Sequence, residues 1–213
     1  MSAKLIHWSG NNLLEEIAYI ARVSNPENQI LAKNSTQLVR YLIKHHHWSP
    51  FEMVNVCIEV ETTRDIARQI LRHRSFSFQE FSQRYAEVTA LGDVTFREAR
   101  GQDLTNRQNS VRLEDGRLHE QWRVKQENTW YAAKTAYKWA LDNGIAKEQA
   151  RAVLPEGMTP SRLYINGTLR SWIHYIELRS TKGTQLEHQQ IAKECATAIY
   201  VIFPMIEEFI SDD

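Results

Sequence analysis

Apolar and polar positions along the chain switch between two periods, and each switch marks an element. Lys4 to Trp8 reads as a short strand, and Leu13 to Val23 as a helix with Leu14, Ile17, Ile20 and Ala21 on one stripe. The turn-forming Ser24-Asn25-Pro26 stops that helix. A further helix, with Ser35 as N-cap, runs through Gln37 to Ile43 into His45-His46-His47-Trp48-Ser49-Pro50-Phe51-Glu52. Val54, Val56, Ile58 and Val60 alternate with Asn55, Cys57 and Glu59, as in a half-buried strand. Thr62 and Asp65 have the spacing of a capping box that opens a helix from Arg64 to about Arg72. On it Arg68, Gln69 and Arg72 share a face and can meet one ligand.

Downstream, Asp93 to Arg97 reads as a strand, and the polar stretch Arg100 to Gly116 as a functional loop or lid. Leu118 to about Asp142 reads as one helix of roughly 37 Å, rich in aromatics and closed by Asn143-Gly144. A short helix follows over Lys147 to Val153, then a strand from Thr159 to Ile165. Leu169, Trp172, Ile173 and Ile176 mark the buried stripe of a helix over Thr168 to Arg179. At about 100° per residue, Arg170 and His174 fall on one flank of that stripe and Arg179 on the other. Gln185 to Ile210 reads as a closing helix bent at Pro204. The pattern predicts an α+β fold, a mixed sheet with flanking helices, as a single domain over residues 1–213. The long aromatic helix predicts assembly into an oligomer.

Charge changes the picture by exclusion. Lys plus Arg and Asp plus Glu both number 26, so no global field favours nucleic acid or an acidic membrane, and anion binding has to be local. Cys57 and Cys195 are the two cysteines, which gives no disulfide framework and suits a reducing cytoplasm. Neither a secretory signal nor a membrane span is indicated. Adjacent histidines at 45–47 diverge on a helix and cannot share one tetrahedral centre, so no metal site is expected.

The candidate chemistry concentrates between Arg72 and Tyr85, where three arginines, a histidine and three serines are interleaved with aromatic and amide side chains. Guanidinium forks at that density need carboxylate, phosphate or water, so the composition points to an anion site with stacking surfaces. A satisfied surface turn is the alternative, as is a non-enzymatic module that binds nucleotides or clamps single-stranded RNA bases.

Arg72, His73, Arg74, Ser77, Ser82 and Arg84 reproduce the signature RHRxxSxxxxSxR, by which the chain resembles the flavin-dependent thymidylate synthases. The resemblance implies conversion of dUMP to dTMP, with methylenetetrahydrofolate as carbon donor and NADPH as reductant through FAD, in a cytoplasmic homotetramer. It implies a flavin site of Ser24, the turn His47, Ser49 and Glu52, then Arg72, His73, Arg74, Thr168, Arg170 and His174. Met53 and Thr168 stand where many relatives carry a histidine and an asparagine. For the nucleotide it implies Gln69, Arg72, Glu80, Ser82, Arg84 and Arg151, with Arg179 as the catalytic residue that activates the pyrimidine. No protein nucleophile attacks the base in that scheme.

Overall fold

Two strands form the middle of the main sheet, and each owes its place to strict alternation. The computed structural model describes residues 1–31, 34–92 and 94–211. In β2 (Asn55–Thr63) Val56, Ile58 and Val60 are fully buried, and in β6 (Pro160–Thr168) Leu163 and Ile165 are their counterparts. β1 (Ser2–Trp8) and β3 (Phe76–Glu80) complete a four-stranded sheet in the order β1-β2-β6-β3. Every pairing in it is antiparallel, which corrects the expectation of a mixed sheet.

Helices α1 (Leu13–Ala21), α3 (Ser35–Lys44), α7 (Leu169–Arg179) and α8 (Leu186–Tyr200) share one core with the sheet. Trp172 of α7 lies at its centre, fully buried, and its Nε1–H donates to the Val56 carbonyl at 2.9 Å. That bond satisfies the indole's one polar group inside an apolar core. Gly167 lets β3 close on this helix: a Cβ there would sit 2.3 Å from the Phe76 ring, which itself packs tilted against Trp172, ring centres 4.7 Å apart. α2 (Pro26–Leu31) and α4 (Arg64–Ile70) are short. α5 (Gly116–Asp142) is 27 residues long, with α6 (Lys147–Ala150) beside its C-terminal end. Among the described residues of α5 only Gln126, Tyr137 and Ala140 are buried, while Trp122, Tyr131 and Trp139 are exposed. Gly144, at φ 80, ends that helix as expected. No helix is long and apolar enough to cross a membrane, among the described residues.

Several expectations of local structure need correction. Asn34, and not Ser35, precedes α3. The N-cap of α4 is Thr63, whose Oγ1 donates to Asp65 at 2.6 Å, while the Thr62 hydroxyl is buried without a partner. α4 ends at Ile70, so Arg72 lies outside it. Residues 94–97 form no strand, and Asp93 lies outside the described residues. The Arg97 backbone is engaged instead by the side-chain amide of Gln126, which accepts at 2.9 Å and donates at 2.8 Å. The stretch from 100 to 116 contains a hairpin, β4 (Arg100–Gln102) with β5 (Ser110–Arg112), and Asp103 accepts from Thr105 and Asn106 at its tip. Finally, α8 ends at Tyr200, and a separate 3-10 turn covers Pro204–Phe209. Proline at its start has no N–H to continue the ladder.

Candidate functional site

The signature falls on edge strand β3 and on the two turns that flank it, so its residues divide into groups. Arg72, His73 and Arg74 occupy the turn before the strand, and Ser82 and Arg84 the turn after it. β3 alone separates the turns by about 13 Å, four steps of about 3.3 Å.

The first group meets the C-terminal end of α7. Arg179 Nε donates to His73 Nε2 at 2.9 Å. The His73 ring stands edge-on to Tyr175 at 5.0 Å, and Tyr175 Oη meets Nε2 of the fully buried His188 at 3.1 Å. His188 Nδ1 faces Gln69 Oε1 at 3.2 Å, and Gln69 Nε2 donates to Gln185 at 2.8 Å. Burial, then the charges of Arg179 and Arg72, push the His73 pKa down to about 4. Burial, then Arg179 and His73, bring His188 to about 3. Both rings are therefore neutral at pH 7. Arg72, Arg74 and Arg179 have no carboxylate within 4.0 Å among the described residues. Arg72 and Arg179 thus act on the neutral His73 ring without a neutralising carboxylate among the described residues, an arrangement suited to anions.

The second group lies at the N-terminal end of α7. Thr168 caps that helix, accepting from Ser171 N at 3.2 Å. Arg170 pairs with Glu52 on the 3-10 turn Ser49–Glu52, and His174 stands edge-on to Trp48 at 5.2 Å. Burial and then Arg170 lower the His174 pKa, against Glu177 and Glu52. Ser171 Oγ donates to the Ser75 carbonyl at 3.3 Å, which ties this end to the signature. α7 thus serves two surfaces, as its spacing predicts: Arg170 and His174 meet the Ser49 turn, Arg179 meets His73. His47 is exposed just before that turn, and Ser24 lies exposed between α1 and α2 with no side-chain hydrogen bond among the described residues.

The third group gathers beyond β3. Arg84 pairs with Glu148 at 3.6 Å, the backbone carbonyl of Glu148 accepts from Arg151 Nε at 3.3 Å, and Ser82 Oγ accepts from Arg84 N at 3.4 Å. Glu80 is already engaged: Arg68 Nη2 donates to both its oxygens at 2.7 and 2.6 Å, and Ser161 Oγ donates at 2.8 Å. Of Arg68, Gln69 and Arg72, Arg68 turns to Glu80 and Gln69 to Gln185.

Sequence reasoning passed over Trp48, Tyr175, Gln185, Glu187 and His188. Tyr175 reads as one more aromatic on a buried helix face, and Gln185-x-Glu187-His188 as a polar first turn. The signal available was the charge and amide content of a turn that ends up buried: Glu187 is 5% exposed and His188 0%.

Fold and site together define an α+β protein with a cationic, histidine-lined surface along an edge strand and one helix. The chain matches the family described as "Thymidylate synthase complementing protein" over residues 4–205, and it belongs to that family. It is 49% identical over 212 residues to the probable flavin-dependent thymidylate synthase of Paramecium bursaria Chlorella virus 1, covering 97% of each chain. It is 46% identical over 190 residues to the flavin-dependent thymidylate synthase of Synechocystis sp., covering 89% of this chain and 86% of that one. A crystal structure of the UMP/dUMP methylase PolB from Streptomyces cacaoi, bound with 5-Br dUMP, aligns with TM-score 0.83 at 29% identity, over 98% of this chain and 93% of that one.

Proposed function

We propose that this protein methylates dUMP to dTMP, with methylenetetrahydrofolate as carbon donor and with FAD and NADPH for the reduction. The observation that carries the reading is Arg179, held by a neutral histidine beside Arg72, with no carboxylate to cancel its charge among the described residues. A guanidinium stays protonated and cannot be a general base. It can stabilise negative charge on the uracil ring as N3 loses its proton, which makes the ring carbon more nucleophilic.

FAD suits the donor set present. Arg72 and Arg74 are exposed and without carboxylates among the described residues, and would suit its phosphates; the turn His47, Ser49 and Glu52, with Ser24, His73, Thr168, Arg170 and His174, would hold the rest of the cofactor. When bound, it supplies hydride transfer, which the side chains lack. Gln69, Arg72, Glu80, Ser82, Arg84, Arg151 and Arg179 hold dUMP, Glu80 through its pair with Arg68. No thiolate is available for covalent attack. Cys195 is 0% exposed with its pKa pushed up by burial, and burial raises Cys57 as well.

The oligomer we propose is a homotetramer in the cytoplasm, as a single-domain chain. Two features support assembly: the exposed Trp122, Tyr131 and Trp139 on α5, and the division of nucleotide residues between opposite ends of β3. One nucleotide is better served by Arg72 and Arg179 of one copy with Ser82, Arg84 and Arg151 of another. The reading is tested by purifying the protein, recording its flavin absorbance and sedimentation, and assaying dTMP formation. A yellow protein with a mass near four chains and FAD-dependent product is expected. A colourless, inactive protein overturns the reading, and a fully active monomer overturns the assembly.

A further inference from the structure

Behind Gln69 lies a line of hydrogen bonds whose direction is set from one end. Glu187, in the first turn of α8, accepts from Arg100 through Oε1 at 2.5 Å, with Arg97 Nε at 3.9 Å. Burial opposes its ionisation, but its backbone N–H, Gln185 and the two arginines outweigh burial and keep its pKa below the ordinary glutamate value. A carboxylate only accepts. Its Oε2 therefore takes the Nε2–H of Gln185 at 2.9 Å, which turns the Gln185 carbonyl toward Gln69. Gln185 Oε1 accepts from Gln69 Nε2 at 2.8 Å, so Gln69 Oε1 faces His188 Nδ1 at 3.2 Å. An amide oxygen has no proton to give, hence Nδ1 carries the hydrogen. His188 Nε2 is left to accept from the Tyr175 hydroxyl at 3.1 Å. Either amide alone could be turned round freely; the buried anion removes that freedom along the line.

We propose that Glu187, acting through Gln185 with His188 at the far end, is a positioning residue that locks the Gln69 amide in one orientation and so makes the site select uracil over cytosine. This rests on the reading of the site as a dUMP pocket. Gln69 spends one N–H and one lone pair on the line, and keeps one N–H and one lone pair for a ligand. The His73 ring, bonded to Arg179, lies 6.3 Å from the His188 ring, and Arg179 is near enough to His188 to lower its pKa, so the amide and the guanidinium are neighbours, at the end of β3 away from Ser82 and Arg84, where the proposed reading puts the base. Uracil sets acceptor O4 beside donor N3–H, whereas cytosine sets a donor amine beside acceptor N3. A freely flipping amide pairs with either base. A locked one matches only one of them.

Glu187→Gln keeps the side-chain shape but gives the line an end that can donate or accept. The experiment is equilibrium titration of dUMP and of dCMP into flavin-loaded wild type and variant, with melting temperature and flavin content recorded alongside. Wild type should prefer dUMP, and the folded variant should lose at least about tenfold of that preference while flavin content stays near wild type, with a lowered melting temperature from the lost pair with Arg100. Gln185→Leu cuts the line from a half-buried position and should lose the same preference, so it decides the matter if Glu187→Gln does not fold. An unchanged preference in either folded variant overturns the inference, as does equal weakening of both nucleotides, which marks a merely structural role. Wild type that binds neither nucleotide overturns the dUMP reading itself and the inference with it, and the wild-type titration separates that failure from the others.

Discussion

Arg179 donates its Nε–H to Nε2 of His73 at 2.9 Å, and the contact decides what charge the site presents. A histidine that accepts there carries its proton on Nδ1 and is neutral. Arg179 is thus oriented by a partner that leaves its positive charge intact. A carboxylate in that place would have cancelled the charge on which the proposed pyrimidine activation depends.

The same neutrality predicts a pH dependence of stability. His73 drops from 6.5 to about 4 and His188 from 6.5 to about 3 on folding. With folded pKa values depressed, the unfolded chain takes up protons first, so stability is full above pH 6.5 and falls as pH drops toward 4. Each group contributes at most about 1.4 kcal/mol per pH unit in that window. Urea unfolding between pH 7 and pH 5 should show a fall that Tyr or Lys titration cannot produce, and a flat profile would contradict the neutral pair.

Arg74 and Arg179 should separate by ligand. Removing a charge-assisted hydrogen bond costs roughly 1.5 to 3 kcal/mol, so Arg74→Ala should release FAD about tenfold or more readily, read by flavin fluorescence. Arg179→Ala should retain flavin and lose dUMP binding or turnover. Equal loss of flavin in both variants would contradict the division of roles.

Gly167→Ala should damage the site from the core side. Its Cβ would meet the Phe76 ring at 2.3 Å, and overpacking of this kind costs about 1 to 3 kcal/mol. Relief requires β3 to move off Trp172, carrying Arg74 and Ser75 with it. Thermal unfolding should fall, and flavin affinity should fall with it. A variant with wild-type stability and flavin content would show that the close approach is not needed.

The double variant Cys57→Ser, Cys195→Ser should keep substantial dTMP formation. Both thiols are buried, so hydroxyl burial costs about 1 to 3 kcal/mol each in stability and nothing in chemistry. Ser82→Ala should reduce activity without abolishing it. Mass spectrometry should find no dUMP adduct on the protein, and an adduct on either cysteine or on Ser82 would contradict the nucleophile-free scheme.

Period and punctuation made most of the fold legible: Val56, Ile58 and Val60 marked β2, and Leu169, Trp172, Ile173 and Ile176 marked α7 with its two working flanks. The strand across the signature was hidden, because Phe76 and Phe78 alternate with Ser77 and Gln79 for only five residues and the arginines around them dominate the composition. The parallel or antiparallel sense of the sheet depends on which strands meet, and no local pattern carries that. Arginine, histidine and serine positions were legible from the signature, but their partners were not. Gln185 and His188 reach Gln69 across more than a hundred residues of chain, with Glu187 behind Gln185, and only the fold, which brings the start of α8 to Gln69, reveals them.

Flavin-dependent methylation is tested most directly by following the carbon. Flavin-loaded protein is incubated with dUMP, NADPH and methylenetetrahydrofolate labelled at its methylene carbon, and the nucleotide is analysed by mass spectrometry. Labelled dTMP that forms only while flavin is bound, with no nucleotide attached to the chain, is the predicted result. Labelled dTMP from flavin-free protein, or none from the flavin-loaded protein, would contradict it.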